Sequence, residues 1–221
     1  MFVHELIEFK ELDCVTTDDG RFYTTPEGKV LPSVTTVLGK TKDQTHLQEW
    51  KKRIGEKAAS YESKRAADRG TALHLLCEKL VLNQPIDLRK ELPVPVQLFV
   101  QLRPIIQENV NNIMGVEAPL YSDYLGVAGR CDLIAKYQGK NSIVDYKSSN
   151  NVKQRDWIED YFIQTSMYAV MFEERTKIPV PQLVIMIGNE KSPSPSVFIE
   201  KRNDWINRGI DRIQQYKNSL L

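Results

Sequence analysis

Two apolar segments joined by a tight turn constrain the fold of this 221-residue chain more than any other feature. Residues 129–137 and 142–147 are rich in strand-forming side chains, and the turn between them contains Gln138 and Gly139, with glycine second as a two-residue hairpin prefers. Counting outward from this turn sets Asp132 opposite Asp145 on one face of the hairpin. Lys147 points the same way because it lies two residues after Asp145.

Two carboxylates in facing positions are costly unless a cation lies between them. Facing Cβ atoms are about 5 Å apart, and two negative charges at that distance repel by about 3 kcal/mol at an effective dielectric constant of about 20. A divalent cation removes this repulsion, and Mg²⁺ accepts two carboxylates together with water and phosphate oxygens. A solvated face is the alternative reading. The apolar neighbours Leu133 and Val144 argue against it, because they make these strands part of a core sheet.

The remaining pattern predicts a mixed α/β (α+β) chain that forms one domain over residues 1–221. Residues 1–40 indicate a small β appendage of turns and short strands, followed by a short helix that starts at Pro32 or Ser33. Residues 45–113 indicate a helical region whose last helix, 95–113, is broken or kinked at Pro104. Residues 116–221 form the predicted catalytic core. Its strands are expected at 116–124, 129–137, 142–147, 183–187 and 197–200, and its helices at 156–175 and 204–216.

Composition limits where the chain acts and how it binds a polyanion. Lys and Arg number 30 against 29 Asp and Glu, so any attraction to nucleic acid has to be local. The three cysteines form neither a disulfide framework nor a zinc motif. The first residues fit neither a signal peptide nor a transit peptide, and no apolar run is long enough for a membrane span. We therefore expect a cytoplasmic protein of a bacterial or phage-infected cell, with no membrane partner.

Four motifs occur in the order found in one nuclease family. Residues 69–74 read RGTALH, 126–134 read GVAGRCDLI, 143–149 read IVDYKSS and 164–168 read QTSMY. Each motif alone is too short to be specific, whereas four in order are. Together they resemble the PD-(D/E)xK nucleases of the RecB-like exonuclease branch, and residues 31–38, LPSVTTVL, add a likeness to its phage and mitochondrial exonucleases. The resemblance implies a restriction-endonuclease-like fold, in which a central mixed sheet is flanked by helices.

The resemblance also implies roles for individual residues. Asp132 and Asp145 would be metal ligands and catalytic residues, and Lys147 would be the catalytic lysine. His74 would be a further metal ligand, and the main-chain carbonyl of Tyr146 would be the group that completes the coordination. The cofactor would be Mg²⁺ or Mn²⁺. The family's proline is missing here, as in many members of this branch. Its iron–sulfur members need four cysteines, and this chain has three at unsuitable spacings, so no iron–sulfur cluster is expected.

Two of these assignments keep an alternative. Glu117 begins the first core strand, where some relatives use an acid to hold a second metal or a water, and a solvated strand end is the alternative. His74 lies one residue off the apolar stripe of its helix, beside the small Gly70 and Thr71. Its residue type and spacing alone fit a ligand and a packed or capping histidine equally well, and the resemblance favours the ligand.

Substrate contacts are expected on two helices. Gln164 and Tyr168 share one helical face directly after the catalytic strand, and a stripe that merely faces water is the alternative. Arg69 and Thr71 belong to the motif that precedes His74. Basic residues concentrate between positions 51 and 69 with aromatic side chains among them, which suits a single strand of DNA but also an ordinary solvated helix face.

These observations predict a metal-dependent DNA exonuclease acting on single-stranded DNA or single-stranded ends. Replication, recombination or DNA degradation would be its setting, with unidentified replication or recombination proteins as partners. A structure-specific or site-specific endonuclease would use the same residues, and digestion of circular single-stranded DNA separates the two. A non-catalytic DNA-binding module is the third reading, although decay of a nuclease usually removes the acids or the lysine, and all are present here.

Overall fold

A five-stranded mixed sheet with helices on both faces, and a smaller three-stranded sheet, make up the computed structural model, which describes residues 1–221. The strands are β1 Asp13–Thr17, β2 Gly20–Thr24, β3 Val30–Pro32, β4 Val110–Ser122, β5 Val127–Tyr137, β6 Lys140–Ser149, β7 Gln182–Asn189 and β8 Ser196–Lys201. The helices are α1 Val34–Thr41, α2 Thr45–Ile54, α3 Glu56–Val81, α4 Pro93–Asn109, α5 Glu159–Thr176 and α6 Ile206–Asn218. None of them combines the length with the apolar character that a transmembrane span needs.

The larger sheet has the strand order β4-β5-β6-β7-β8. Neighbouring strands are antiparallel except β6 and β7, which are parallel and are connected by α5. A parallel connection needs such a crossover, because the chain has to return to the edge where β6 began. The predicted central mixed sheet flanked by helices is therefore confirmed.

Both faces of this sheet are covered, which explains why its middle strands are apolar along their whole length. On one face, α3 and α4 pack against side chains such as Leu133 and Val144. On the other face, α5 and α6 pack against side chains such as Ile134 and Ile143, one position away in each strand. Charged residues in these strands are therefore enclosed by core, as the apolar neighbours of Asp132 and Asp145 predicted.

The predicted hairpin turn is confirmed. Gln138 and Gly139 both have positive φ, 51° and 78°, which is the backbone of a type I′ turn. The pairing that follows from it joins Ile134 to Ile143 and ends at Leu133 and Val144. Asp132 and Asp145 thus lie one position beyond the last backbone pair, where the two strands stop pairing.

The helix expected over residues 95–113 differs from the prediction at its end and at its proline. α4 ends at Asn109, and Val110 already pairs with Tyr137 in the sheet. The helix is continuous across Pro104 because Leu102 and Ile106, on either side of it, are fully buried against the sheet. Tertiary packing here offsets the loss of one helical hydrogen bond.

The short strands expected in the first 40 residues form the three-stranded antiparallel sheet. Ser33 caps α1 by accepting a hydrogen bond from the Thr36 amide at 2.9 Å, and it also forms a bridge to Ala128 of β5. Tyr23 and Leu12 pack against Ala128. These contacts hold the small sheet beside the end of β5 that leads to Asp132.

Candidate active site

Asp132 connects the two strands at the point where their pairing stops. Its Oδ2 accepts a hydrogen bond of 2.9 Å from the backbone amide of Tyr146 and lies 3.4 Å from Nδ1 of His74. Burial alone would raise its pKa, but the charge of His74 and the hydrogen bonds outweigh burial and hold the pKa of Asp132 below its usual value. The site therefore favours Asp132 as an anion.

Asp145 is buried and poorly satisfied. It is 1% exposed, and neither carboxylate oxygen accepts a well-formed hydrogen bond, although the Lys147 ammonium contacts Oδ2 as an ion pair. Burial raises the pKa of Asp145 to about 6, with Lys147 lowering it and Asp132 raising it further. Lys147 offsets part of this charge, but Oδ1 has no partner, and a buried carboxylate oxygen without a partner is destabilising. The site can therefore accept a further cation beside Oδ1.

His74 lies on α3, at the edge of the helix face that packs against the sheet. Leu73, Leu76 and Cys77 form the fully buried stripe of that helix, and His74 lies one residue to its side with 28% of its side chain exposed. Burial lowers its pKa, but attraction to Asp132 dominates together with a hydrogen bond, and the pKa of His74 rises to about 8. The imidazole of the metal-free protein is thus mostly protonated at neutral pH, and it can act as a nitrogen ligand only once it is deprotonated.

Glu117 completes a cluster with His74 and Asp132. Each of the three offers one ligand atom, and these atoms all lie within 4.8 Å of one another. Glu117 has a φ of 47°, and its carbonyl accepts a 2.7 Å hydrogen bond from Arg130. Burial, followed by the charge of Asp132, raises its pKa to about 7. A solvated strand end does not describe this residue.

The donors gathered here suit a hard divalent cation. Two carboxylates and an imidazole form the close cluster, and the unsatisfied oxygens of Asp145 lie next to it on β6. Oxygen donors with one nitrogen fit Mg²⁺ or Mn²⁺ better than a soft metal. The cluster of three includes Glu117 but not Asp145, whereas the sequence predicted Asp145 as a principal ligand and Glu117 only as an additional one.

The side chain of Lys147 lies against α5. The Lys147 ammonium is 5.1 Å from the centre of the Tyr161 ring, and burial lowers its pKa less than Asp145 and Asp132 raise it. Gln164 lies one turn further along α5 and donates a 3.4 Å hydrogen bond to the Tyr168 hydroxyl. The lysine therefore stays charged, fixed between a carboxylate and an aromatic ring.

Tyr168 is placed differently from the expectation. It is 3% exposed, so it neither faces water nor reaches a DNA backbone in this arrangement. Its ring lies on Gly129, where a Cβ atom would be 2.7 Å from a ring carbon. The missing side chain of Gly129 leaves the space that the ring fills, and Tyr168 supports β5 three residues before Asp132.

Arg69 and Thr71 separate in the structure. Thr71 is exposed beside His74, as a substrate contact requires. Arg69 is 7% exposed, and its guanidinium donates to Ser148 and Asn150 and forms an ion pair with Glu190. The expectation that Arg69 contacts DNA is not met in this arrangement, because the side chain is buried and its Nε and Nη1 bond within the protein.

Three further residues line the cleft above the cluster and were missed. The cleft has a volume of about 560 Å³, and besides Thr71 and His74 its walls include Glu78, Arg21 and Arg130. Glu78 follows His74 by four residues, so helical spacing alone could have found it. Arg21 comes from β2 and has no local signal, because only the packing of the small sheet brings it here.

Comparison with known proteins agrees with this geometry. Residues 44–217 match the model of the PD-(D/E)XK nuclease superfamily. The chain is similar to mitochondrial genome maintenance exonuclease 1 of Homo sapiens, with 28% identity over 202 residues, and to that of Xenopus tropicalis, with 23% identity over 203 residues. Each alignment covers 85% of this chain, whereas the chain spans 58% and 57% of the two relatives.

Proposed function

The chain belongs to the PD-(D/E)XK nuclease superfamily, and from this membership we propose that it is a magnesium-dependent exonuclease acting on DNA with single-stranded ends. The observation that carries the proposal is the buried Asp145 carboxylate, which has no hydrogen-bond donor of good geometry and lies beside a second carboxylate and a lysine. A purely structural role would leave the buried Oδ1 of Asp145 without any partner. A metal-dependent hydrolytic role gives it a partner.

The metal would be held by His74, Asp132 and Asp145, with Glu117 and the Tyr146 carbonyl completing the donor set. When bound, a divalent cation withdraws charge from the scissile phosphate and favours deprotonation of an attacking water. Asp132 is already held as an anion and is fixed by the Tyr146 amide, so it needs little reorganisation. His74 has to release its proton first, because only the neutral imidazole binds metal.

Lys147 would supply the fixed positive charge of the reaction. Its ammonium is held between the Asp145 carboxylate and the Tyr161 ring, and 20% of its side chain is exposed, so it would be accessible to an oxygen of the bound phosphodiester. A phosphate oxygen gains negative charge as the phosphodiester is attacked, and a preorganised cation then binds it more strongly than in the ground state. Lys147 thus lowers the barrier without moving a proton.

Arg21 and Thr71 would bind the DNA backbone at the cleft. Arg21 is exposed and forms no ion pair, in contrast to Arg130, which is paired with Glu11 at 2.5 Å. The cleft also contains the carboxylates of Glu78 and Glu117, so a polyanion requires such a cation at its rim. The names of both relatives point to genome maintenance by an exonuclease, which supports DNA as the substrate and replication, recombination or DNA degradation as the setting.

The test uses end-labelled linear, duplex and circular DNA with Mg²⁺, with Mn²⁺ and with excess EDTA. The proposal expects metal-dependent shortening of linear single strands from an end and no cutting of circular single strands. Asp145→Asn is the inactive control. Cutting of the circle would replace the exonuclease by an endonuclease of the same chemistry, and binding without any cutting in either metal would favour a non-catalytic DNA-binding module. Parallel RNA substrates measure the preference for DNA.

A further inference from the structure

Arg69 is the most deeply buried cation near the site, and the mechanism above does not use it. Its Nε donates to Ser148 Oγ at 3.2 Å, and its Nη1 contacts Asn150 and forms a 2.6 Å ion pair with Glu190. Ser148 belongs to β6, Asn150 follows it, and Glu190 follows β7. One side chain of α3 therefore holds the ends of two neighbouring strands.

The elements joined by Arg69 are those that carry the site. His74 lies five residues further along α3, a rise of about 7.5 Å, and Lys147 immediately precedes Ser148 on β6. The contact thus lies between the helix that supplies the imidazole and the strand that supplies Asp145 and Lys147. A shift of α3 along β6 would change the separation of these groups directly.

Glu190 is itself fixed from its other side. Gln97 of α4 donates a 3.0 Å hydrogen bond to the Glu190 carbonyl. Gln101, one turn further, donates to the Asn189 carbonyl at 2.9 Å and accepts from the Asn189 amide at 2.9 Å. The carboxylate that receives Arg69 is therefore anchored by its own backbone, and Arg69 binds to a rigid point.

We propose that Arg69 is a positioning residue that fixes α3 against the end of β6, and so sets the geometry of His74 relative to Asp145 and Lys147. The proposal rests on the proposed nuclease function. An arginine suits this task because its planar guanidinium presents five N–H donors in a fixed, spread geometry that reaches acceptors on two strands, whereas a lysine ammonium presents three donors from one point. The alternative, a direct contact between Arg69 and DNA, would have to be made by Nη2 of a side chain that is 7% exposed, because Nε and Nη1 are already engaged.

The experiment compares Arg69→Gln, Arg69→Lys, Glu190→Gln and the double variant Arg69→Gln/Glu190→Gln. Each is assayed for kcat and KM on a labelled single strand. Affinity for the same strand is measured by fluorescence anisotropy in EDTA, where no cutting occurs, and Mn²⁺ affinity is measured by calorimetry without DNA. These two binding measurements report separately on the DNA surface and on the metal cluster.

A positioning role predicts that Arg69→Gln and Glu190→Gln each lower kcat by about 10- to 100-fold and weaken Mn²⁺ binding, the usual scale for losing a group that orients ligands. The effects of the two single variants should not add fully in the double variant, because both remove the Arg69–Glu190 ion pair. Arg69→Gln also loses the contacts with Ser148 and Asn150, and Glu190→Gln also loses a 2.6 Å ion pair with Arg65. DNA affinity in EDTA and its salt dependence should stay within about twofold of the wild type. Arg69→Lys should not restore kcat.

The matched control is Arg212→Gln. Arg212 is also a largely buried arginine with three partners, Thr41, Leu38 and Asp160, but it joins helices of the opposite layer. Arg212→Gln should lower the free energy of unfolding while kcat and Mn²⁺ affinity stay at the wild-type level. If it lowers kcat as much as Arg69→Gln, general loosening explains the effect and the positioning role is wrong.

Two other results would also overturn the proposal. Weaker DNA binding by Arg69→Gln in EDTA, with normal kcat and normal Mn²⁺ affinity, would make Arg69 a DNA contact. Normal kcat and Mn²⁺ affinity in both Arg69→Gln and Glu190→Gln would show that Arg69 positions nothing. A wild-type protein that cuts no DNA would contradict the proposed function alone, and the Mn²⁺ measurements would still decide the role of Arg69.

Discussion

Neutralising the two site carboxylates should change the stability of the metal-free protein in opposite directions. The folded protein raises the pKa of Asp145 from 3.8 to about 6, so ionised Asp145 destabilises the fold. Asparagine has nearly the same shape and no charge. Asp145→Asn should therefore stabilise the protein in EDTA while it abolishes cleavage, a trade between stability and function.

The magnitude follows from the two pKa values. Above pH 6 the full difference counts, and at about 1.4 kcal/mol per pH unit it corresponds to about 3 kcal/mol of extra unfolding free energy for Asp145→Asn at pH 8. The pKa is raised in the folded state, so the cost of the charge appears as the pH rises from the unfolded value towards 6. At pH 4.5 the same reasoning leaves a difference of about 1 kcal/mol.

Asp132→Asn is the matched control, because its environment acts in the opposite sense. The pKa of Asp132 is lowered, mainly by His74 against the effect of burial, so its charge stabilises the fold at neutral pH and this stability is lost as the pH falls through the folded pKa. Asp132→Asn should therefore destabilise the metal-free protein at pH 8.

Urea unfolding followed by circular dichroism, at pH 8 and pH 4.5 in EDTA, measures both variants. Repeating it with Mg²⁺ at about 100 times the Kd should stabilise the wild type by about 3 kcal/mol and remove most of the advantage of Asp145→Asn. The reasoning is wrong if Asp145→Asn is no more stable than the wild type in EDTA at pH 8, or if both variants shift in the same direction.

Three further outcomes are expected. Lowering the pH from 8 to 7 should raise the metal concentration for half activity about tenfold, because His74 and Glu117, with pKa values of about 8 and 7, both have to be deprotonated. His74→Ala should reduce this change to about twofold, and a pH-independent metal titration of the wild type would contradict the reasoning. Lys147→Ala should lower kcat by at least about 100-fold with DNA affinity in EDTA retained, whereas near-normal turnover would make the lysine structural. Gly129→Ala should destabilise the protein by about 1 to 3 kcal/mol in urea unfolding, since its Cβ would overlap the Tyr168 ring, and Tyr168→Phe should not; equal stability of Gly129→Ala and the wild type would show that the ring moves freely.

The hairpin that carries the site was predictable because its geometry is local. The turn of Gln138 and Gly139 sets the register of every pair that follows, so the positions of Asp132 and Asp145 depend on two adjacent residues. The end of the pairing was not predictable in the same way. Beyond Leu133 and Val144 the Asp132 carboxylate bonds to a backbone amide, and no pattern of apolar and polar residues marks that change.

Glu117 depends on an irregularity that its sequence does not reveal. The pairing of β4 with β5 shifts between Asn111 and Gly115, and Glu117 has a left-handed backbone that a non-glycine residue seldom adopts. Arg130 stabilises this conformation through the Glu117 carbonyl. Val116 pairs with Leu133 and Ala118 with Cys131, so Glu117 lies opposite Asp132. Its left-handed backbone is a local departure that counting along a regular strand does not predict.

Arg69 and Tyr168 illustrate a different limit. Helical spacing predicts which residues share a face, but both sides of a helix can carry polar residues, and spacing does not say what lies opposite. The partners of Arg69 are 79 to 121 positions away in the chain, and Tyr168 packs on a glycine 39 residues before it. A buried arginine needs an acidic partner, so correlated changes of Arg69 and Glu190 among related chains would have revealed this pair. One sequence cannot show such a correlation. The role of polar residues beside a catalytic motif is therefore ambiguous in the sequence, because distant strands decide what they contact. The geometry of the motif itself is not ambiguous, because one turn fixes it.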